Sequence, residues 1–179
     1  MDINLEKKLE EAARKAIKKL LSENKEHFYY CSLITDGEGH CPVISAWSQE
    51  ALERILEEEA EPDEDMETVR LEYKWSYADS PYYAYGEEFF EEIKELFDDG
   101  MEDLDDEQAE EEVNLRIEAM ERVMAALDQE GLFGIGDDRM KIVINAEIMP
   151  PDYGNTERAI RLNPKEALKE WLEEIAEFE

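Results

Sequence analysis

Two stretches of this chain can offer a core no more than a narrow apolar edge, and that restricts where the fold can find its interior. Residues 50–67 carry ten carboxylates against Arg54 alone, and residues 87–112 carry fifteen against Lys94 alone. An unpaired carboxylate costs several kcal/mol to bury. Both stretches must therefore keep most of their side chains in water, and the core must come chiefly from the segments around them. Together they hold −23 of the formal net charge of −31 within 44 residues, whereas residues 1–26 balance seven bases against six acids.

The remaining sequence is ample for a core. Of the 179 residues, 42% are apolar, including 3 Trp, 8 Tyr and 6 Phe, too many for a disordered acidic chain. The length fits a single domain over 1–179, with acidic inserts at about 57–67 and 98–112. At this mass a folded surface is ~9,000 Å², about one uncompensated negative charge per ~300 Å². Such a field repels phosphate backbones and anionic lipid, so neither nucleic acid nor membrane is expected as a partner. No apolar run approaches the length of a bilayer span, and Asp2, Glu6, Lys7 and Lys8 stand where a signal peptide would be apolar. Cys31 and Cys41 are too few for a disulfide framework, so the expected location is the cytoplasm.

Hydrophobic spacing divides the chain into elements. Leu5, Leu9, Ala12, Ala13, Ala16, Ile17, Leu20 and Leu21 form one stripe of an N-terminal helix, whose Lys7, Lys8, Arg14, Lys15, Lys18 and Lys19 make the only basic surface legible here. HFYYCSLI (27–34), the turn residues Asp36–Gly39 and PVISAW (42–47) predict a β-hairpin, after which Ser48 is placed to cap a helix through Leu52, Ile55 and Leu56. TVRLEYKW (68–75) alternates Val69, Leu71, Tyr73 and Trp75 with charged residues and reads as a third strand. A tyrosine-rich loop, a helix over 87–97 and a long helix carrying Val113, Ile117, Met120, Val123, Met124 and Leu127 follow, the last ended by Gly131. MKIVINAEI (140–148) is the strongest strand. A last helix begins near Pro164 with Asn163 as its cap. The expected class is α+β: a mixed or antiparallel sheet of about four strands, one β-hairpin and about five helices.

Chemistry-bearing patterns are weak. The acids around Gly100 lack calcium-loop spacing, His27, Cys31, His40 and Cys41 lack zinc-ligand spacing, and Gly131, Gly134 and Gly136 follow a helix where a phosphate loop would follow a strand. Two histidines and no serine elbow leave nothing for a nucleophilic triad. No catalytic residue, metal or cofactor is expected. One local grouping rises above composition: Arg70, Trp75, Asp79 and Tyr82 in RLEYKWSYADSPYY, either a loop anchor and core seal or the lining of a pocket.

The order of an amphipathic helix, HFYYCSLI, WSYADSPY followed by Phe89 and Phe90, GLFG after a long helix and RLNP before the last helix resembles an uncharacterised bacterial family, domain of unknown function 4303. The resemblance implies an immunity-type binding protein and supplies no catalytic residues.

The acid runs have three readings: a solvating face, a docking surface and a cation site. The leading functional expectation is a non-enzymatic acidic protein that occludes a basic protein such as a toxin or nuclease. Its contacts would be Glu57, Glu58, Glu59, Asp63, Asp65, Asp98, Asp99, Asp103, Asp105 and Asp106, with Tyr82, Tyr83 and Tyr85 as aromatic anchors. The alternative is a small ligand-binding domain or enzyme with its pocket at Arg70, Trp75, Asp79 and Tyr82. Nothing in the sequence sets the oligomeric state.

Overall fold

A computed structural model of the chain describes residues 3–59, 65–98 and 101–177. In chain order the elements are α1 (Ile3–Glu23), β1 (Phe28–Asp36), β2 (Val43–Ser48), α2 (Gln49–Glu59), α3 (Met66–Lys74), α4 (Glu91–Asp98), α5 (Asp106–Gln129), β3 (Val143–Met149), α6 (Tyr153–Leu162) and α7 (Lys165–Glu174). The class is α+β, but the described residues form three strands where about four are expected, and seven α-helices where about five are. The sheet is mixed, in the order β2-β1-β3: β1 and β2 are the antiparallel hairpin and β3 runs parallel to β1.

Local signals set many boundaries as the residues predict. The Ser48 hydroxyl accepts from the amide of Ala51 at 3.0 Å and starts α2. Gly131, at φ +78°, ends α5, with its amide on the Asp128 carbonyl and that of Leu132 on the Leu127 carbonyl. Asp105 and Gln108 form a reciprocal capping box at the start of α5.

The alternating segment 68–75 is the clearest departure: it is helical, as α3. Period two and period 3.6 share the i, i+4 positions over so short a run. The structure buries Val69 and half-buries Tyr73 on one helical side while leaving Leu71 47% exposed, which a strand face would not do. Asp65 precedes this helix and accepts from the Thr68 hydroxyl at 2.9 Å.

The two faces of the sheet differ. By register, Cys31, Leu33, Ile44, Ala46, Ile144 and Ala146 share an apolar face, left to α1 and α5, which pack on β2 and on β1 and β3. The other face holds Tyr30, Ser32, Ser45, Trp47, Asn145 and Glu147, all buried. Its polar groups find partners: Ser45 donates to the Tyr77 carbonyl at 2.8 Å, Trp47 to the Ser76 carbonyl at 2.6 Å, and Asn145 to the Asn155 carbonyl at 3.1 Å. A bulge between Phe28 and Tyr30 lets Tyr29 and Tyr30 both reach the Trp75 ring, at 5.3 and 5.9 Å between centroids.

Among the described residues no fourth strand covers the outer edge of β3. Side chains do. The Asn163 amide group accepts from the Ile144 N–H at 2.9 Å and donates to its carbonyl at 2.6 Å. Asn155 does the same for Ile148, at 2.9 and 3.0 Å. Between them the Ala146 amide donates to the Asn145 side chain at 2.9 Å and its carbonyl accepts from Arg158 Nε at 2.7 Å. The spacing follows from geometry: eight helical residues rise ~12 Å and four strand residues ~13 Å, so an antiparallel helix keeps step with the edge. Asn163 therefore closes a strand edge at the end of α6; the cap position of α7 is Pro164, without a side-chain cap bond.

Two outcomes test this construction. Asn163→Ala leaves the amide and carbonyl of Ile144 without their side-chain partners and should cost about 2 kcal/mol, read from the urea midpoint. Glu147, 4% exposed, accepts from Tyr30 Oη at 2.8 Å and Asn145 Nδ2 at 2.9 Å, and burial raises its pKa above 4.5 despite those bonds. Its protonated form is the one the fold prefers, so stability drops as pH rises through the raised value. Glu147→Gln should therefore raise the denaturation midpoint at neutral pH and above, with the gain vanishing below pH 4.5.

Candidate functional site: the carboxylate face of α4 and α5

The destination of the cations determines which carboxylates are left over. Of 19 lysines and arginines, twelve lie within ion-pair distance of a carboxylate among the described residues. Three of them sit on the surface of α1 that the sequence marks as basic. There Arg14 bonds Glu10 and Glu130, Lys15 lies 3.1 Å from Glu11, and Lys19 lies 2.5 Å from Glu88. Half of that basic surface is thus paired, by Glu10 and Glu11 of α1 itself and by Glu88 and Glu130 from farther along the chain, while among the described residues Lys7, Lys8 and Lys18 stand in no ion pair.

Three buried arginines spend their donors on main-chain carbonyls. Arg116 donates to Gly39 at 2.8 Å, Arg139 to Ile142 at 2.7 Å and Leu162 at 3.0 Å, and Arg158 to Ala146. Sequence reasoning singled out none of them; an arginine interrupting the apolar stripe Val113, Ile117, Met120 was the available signal for Arg116.

The second acidic window keeps its charge. Among the described residues, Glu91, Glu92 and Glu95 on α4, Asp103 before α5, and Asp106, Glu107, Glu110 and Glu111 on α5 are exposed and lie near no cation. The first ten residues of α5 bury no side chain, burial beginning at Arg116, so this end of the helix presents carboxylates around most of its circumference. Asp105 is engaged in the cap. Asp98 lies on the backbone of α4 at its last residue, and Asp99 and Asp63 fall outside the described residues.

The first window is distributed differently. Glu57, Glu58 and Glu59 end α2 and Asp65 precedes α3, all exposed, but Glu53 binds Arg70 at 2.6 Å. Glu50 accepts from the His27 amide at 2.8 Å and its ring at 2.5 Å, which bring its pKa down to about 2. α2 and α3 pack on each other and α2 on β2, whereas α4 and α5 pack on α1, and α5 on the sheet. The two windows thus belong to separate helix pairs.

Beside α5 the hairpin turn leaves a cleft of about 840 Å³, lined by Gly37, Glu38, His40, Met101, Ala109, Glu110, Val113, Asn114 and Ile148. Its floor is apolar and its rim acidic. Gly39, at φ +69°, makes the close approach: a Cβ there would lie 3.1 Å from Val113 Cγ2. Asp36 ties the turn by accepting from the amides of Glu38 at 3.1 Å and His40 at 3.2 Å and from the His40 ring at 2.8 Å. Burial works to raise the Asp36 pKa, and the His40 ring and these amides more than offset it, leaving it below 3.8.

Tyr82 is buried, its ring 5.3 Å from Phe28 and its hydroxyl donating to Glu26 at 2.6 Å, so it offers a partner no anchor. Tyr85 is half-buried and donates to Glu23 at 2.6 Å, while Tyr83 is 47% exposed beside Tyr77. A large ring gains more from the core than from water, and the hydroxyl follows it to a carboxylate.

Arg70, Trp75, Asp79 and Tyr82 do not share a partner. Arg70 reaches Glu53, Asp79 accepts from the Ser76 hydroxyl, Tyr82 reaches Glu26, and Trp75 donates to Glu174 at 2.5 Å. Of the four, Trp75 lines a cleft of about 450 Å³, with Tyr29, Gln49, Lys141 and residues of α7. Of the imagined zinc ligands, His27 is on Glu50, His40 on Asp36, and burial pushes the Cys31 thiol up to about 12. Among the described residues no three His, Cys, Asp or Glu side chains converge on one point, and no helix is long and apolar enough to cross a membrane.

A family model described as Domain of unknown function (DUF4303) matches residues 9–164, from the first turns of α1 to the residue before α7. No curated protein and no solved structure matches the chain.

Gly39→Ala tests the seat of the cleft. The positive φ and the contact with Val113 should cost about 1–2 kcal/mol, read as a lowered thermal midpoint.

Proposed function

The chain belongs to the DUF4303 family, and we propose that it is a non-enzymatic binding protein whose α4–α5 carboxylates dock a basic protein and occlude it. The observation that carries this reading is the division of charge. Among the described residues the fold engages most of its cations internally, yet leaves eight carboxylates at the α4–α5 end exposed and in no ion pair. A merely soluble protein of this size needs only a few net charges. The cleft beside α5 adds what charge lacks, an apolar floor for one side chain of the partner beneath an acidic rim.

The partner's chemistry follows from the field. A rim of lysines and arginines built to hold phosphates fits such a row of carboxylates, so a nuclease or toxin of that kind is the partner class, and inhibition is by covering its site. An immunity-type role in the cytoplasm of a bacterium is the setting this reading implies. A small ligand-binding domain or enzyme is the second reading, and the cleft at Trp75 and Lys141 is the observation in its favour. Against it, Arg70, Asp79 and Tyr82 are each committed to a different neighbour.

Titration against a panel of cationic nucleases at low and high salt tests the proposal. Neutralising α5 (Asp106→Asn, Glu107→Gln, Glu110→Gln, Glu111→Gln) should weaken binding at least about tenfold and flatten its salt dependence. The same treatment of α2 (Glu57→Gln, Glu58→Gln, Glu59→Gln) should change it less than about threefold, as a rim effect. Equal effects from both sets, or no salt-sensitive binding by any member, would overturn the assignment.

A further inference from the structure

The surface formed by α6 and α7 behaves differently from the rest of the exterior. Ile160 is 53% exposed, and it borders a groove of about 510 Å³ whose other apolar walls are Leu168 and Leu172. Lone exposed isoleucines are ordinary, but this one continues along the furrow into the partly exposed Leu172, with the buried Leu168 beneath them. The groove also holds two of the seven cations that among the described residues have no ion pair, Lys165 and Lys169, and next on the same line Glu173, which among those residues has no cation. These three stand at i, i+4 and i+8 of α7, on one side of the helix. In a chain of net charge −31 this furrow carries both signs.

We propose that this groove is a twofold interface with a second copy of the chain, α7 packing antiparallel on α7. The argument is the order of charges. A row reading Lys, Lys, Glu along one helix is not complementary to itself in parallel, but a twofold axis between Lys169 and Glu173 sets each copy's Lys169 beside the other's Glu173. The same operation brings the two apolar furrows together at Leu172. A uniformly acidic partner would leave Glu173 facing like charge, and a uniformly basic one would meet two lysines. The patch is small, so the dimer is a weak one, and it uses none of the carboxylates assigned to docking.

Sedimentation of the full chain from micromolar to millimolar concentration tests this. The expected result is a reversible monomer–dimer equilibrium, weakened at least about tenfold by Ile160→Asp, whose side chain is exposed enough to leave the fold intact by circular dichroism. Lys169→Glu and Glu173→Lys should each weaken it, and the double variant Lys169→Glu/Glu173→Lys should recover it, because only a second copy carries both changes. A monomer throughout the range, a dimer indifferent to Ile160→Asp, or a double variant no better than the single ones would each overturn the proposal.

Discussion

The outer edge of β3 is the point on which the architecture turns. A three-stranded sheet has two edges, and an open edge beside the core would leave main-chain donors and acceptors without water or partner. Here α6 lays Asn163, Arg158 and Asn155 along that edge in step with Ile144, Ala146 and Ile148, and Asn145 supplies the remaining bond from the strand itself. Because those bonds need the helix at one height and one direction, they also fix where α7 begins. The placement of Trp171 and Leu168 in the core, and of Glu174 on Lys74 and Trp75, follows. The edge closure thus reaches across the sheet to α3.

A second constraint runs through the charged residues. The fold keeps three guanidiniums inside and satisfies them with carbonyls, so each acts as a strut between elements distant in sequence: Arg116 from α5 to the hairpin turn, Arg139 from the connector to the end of α6, Arg158 from α6 to β3. Among the described residues, eight of the other sixteen cations sit in partly or fully exposed ion pairs, each worth little in stability. Their collective effect is on the field: paired cations cancel acids near α1 and leave the α4–α5 end uncancelled. The same economy reduces the basic side of α1, prominent in the sequence, by pairing Arg14, Lys15 and Lys19.

Several elements were legible because local physics decides them. The hairpin rests on DGEG between two β-rich runs, α2 on the Ser48 hydroxyl, and the end of α5 on Gly131. The family order of motifs was legible for the same reason, since each motif is short and contiguous. Other features depended on partners that no local pattern reveals. TVRLEYKW has both periods within eight residues, and it becomes α3 because α2 is there to receive Val69. Tyr82 read as an anchor for a partner, yet Phe28 and Glu26 take its ring and hydroxyl first. Asn163 looked like a helix cap because Asn before Pro usually is one; its amide group instead bonds both the N–H and the carbonyl of Ile144.

From the residues alone came the α+β class, the hairpin, the amphipathic helices and the strong asymmetry of charge, all set by side-chain spacing and by the cost of dehydrating a carboxylate. Tertiary structure decided the rest. Which carboxylates meet a cation, which arginines turn inward and whether a fourth strand is needed depend on distances between segments up to 117 positions apart, such as Tyr30 and Glu147. Those distances exist only once helices and strands have docked, because a hydrogen bond or ion pair is decided within a few ångströms that spacing along the chain does not encode.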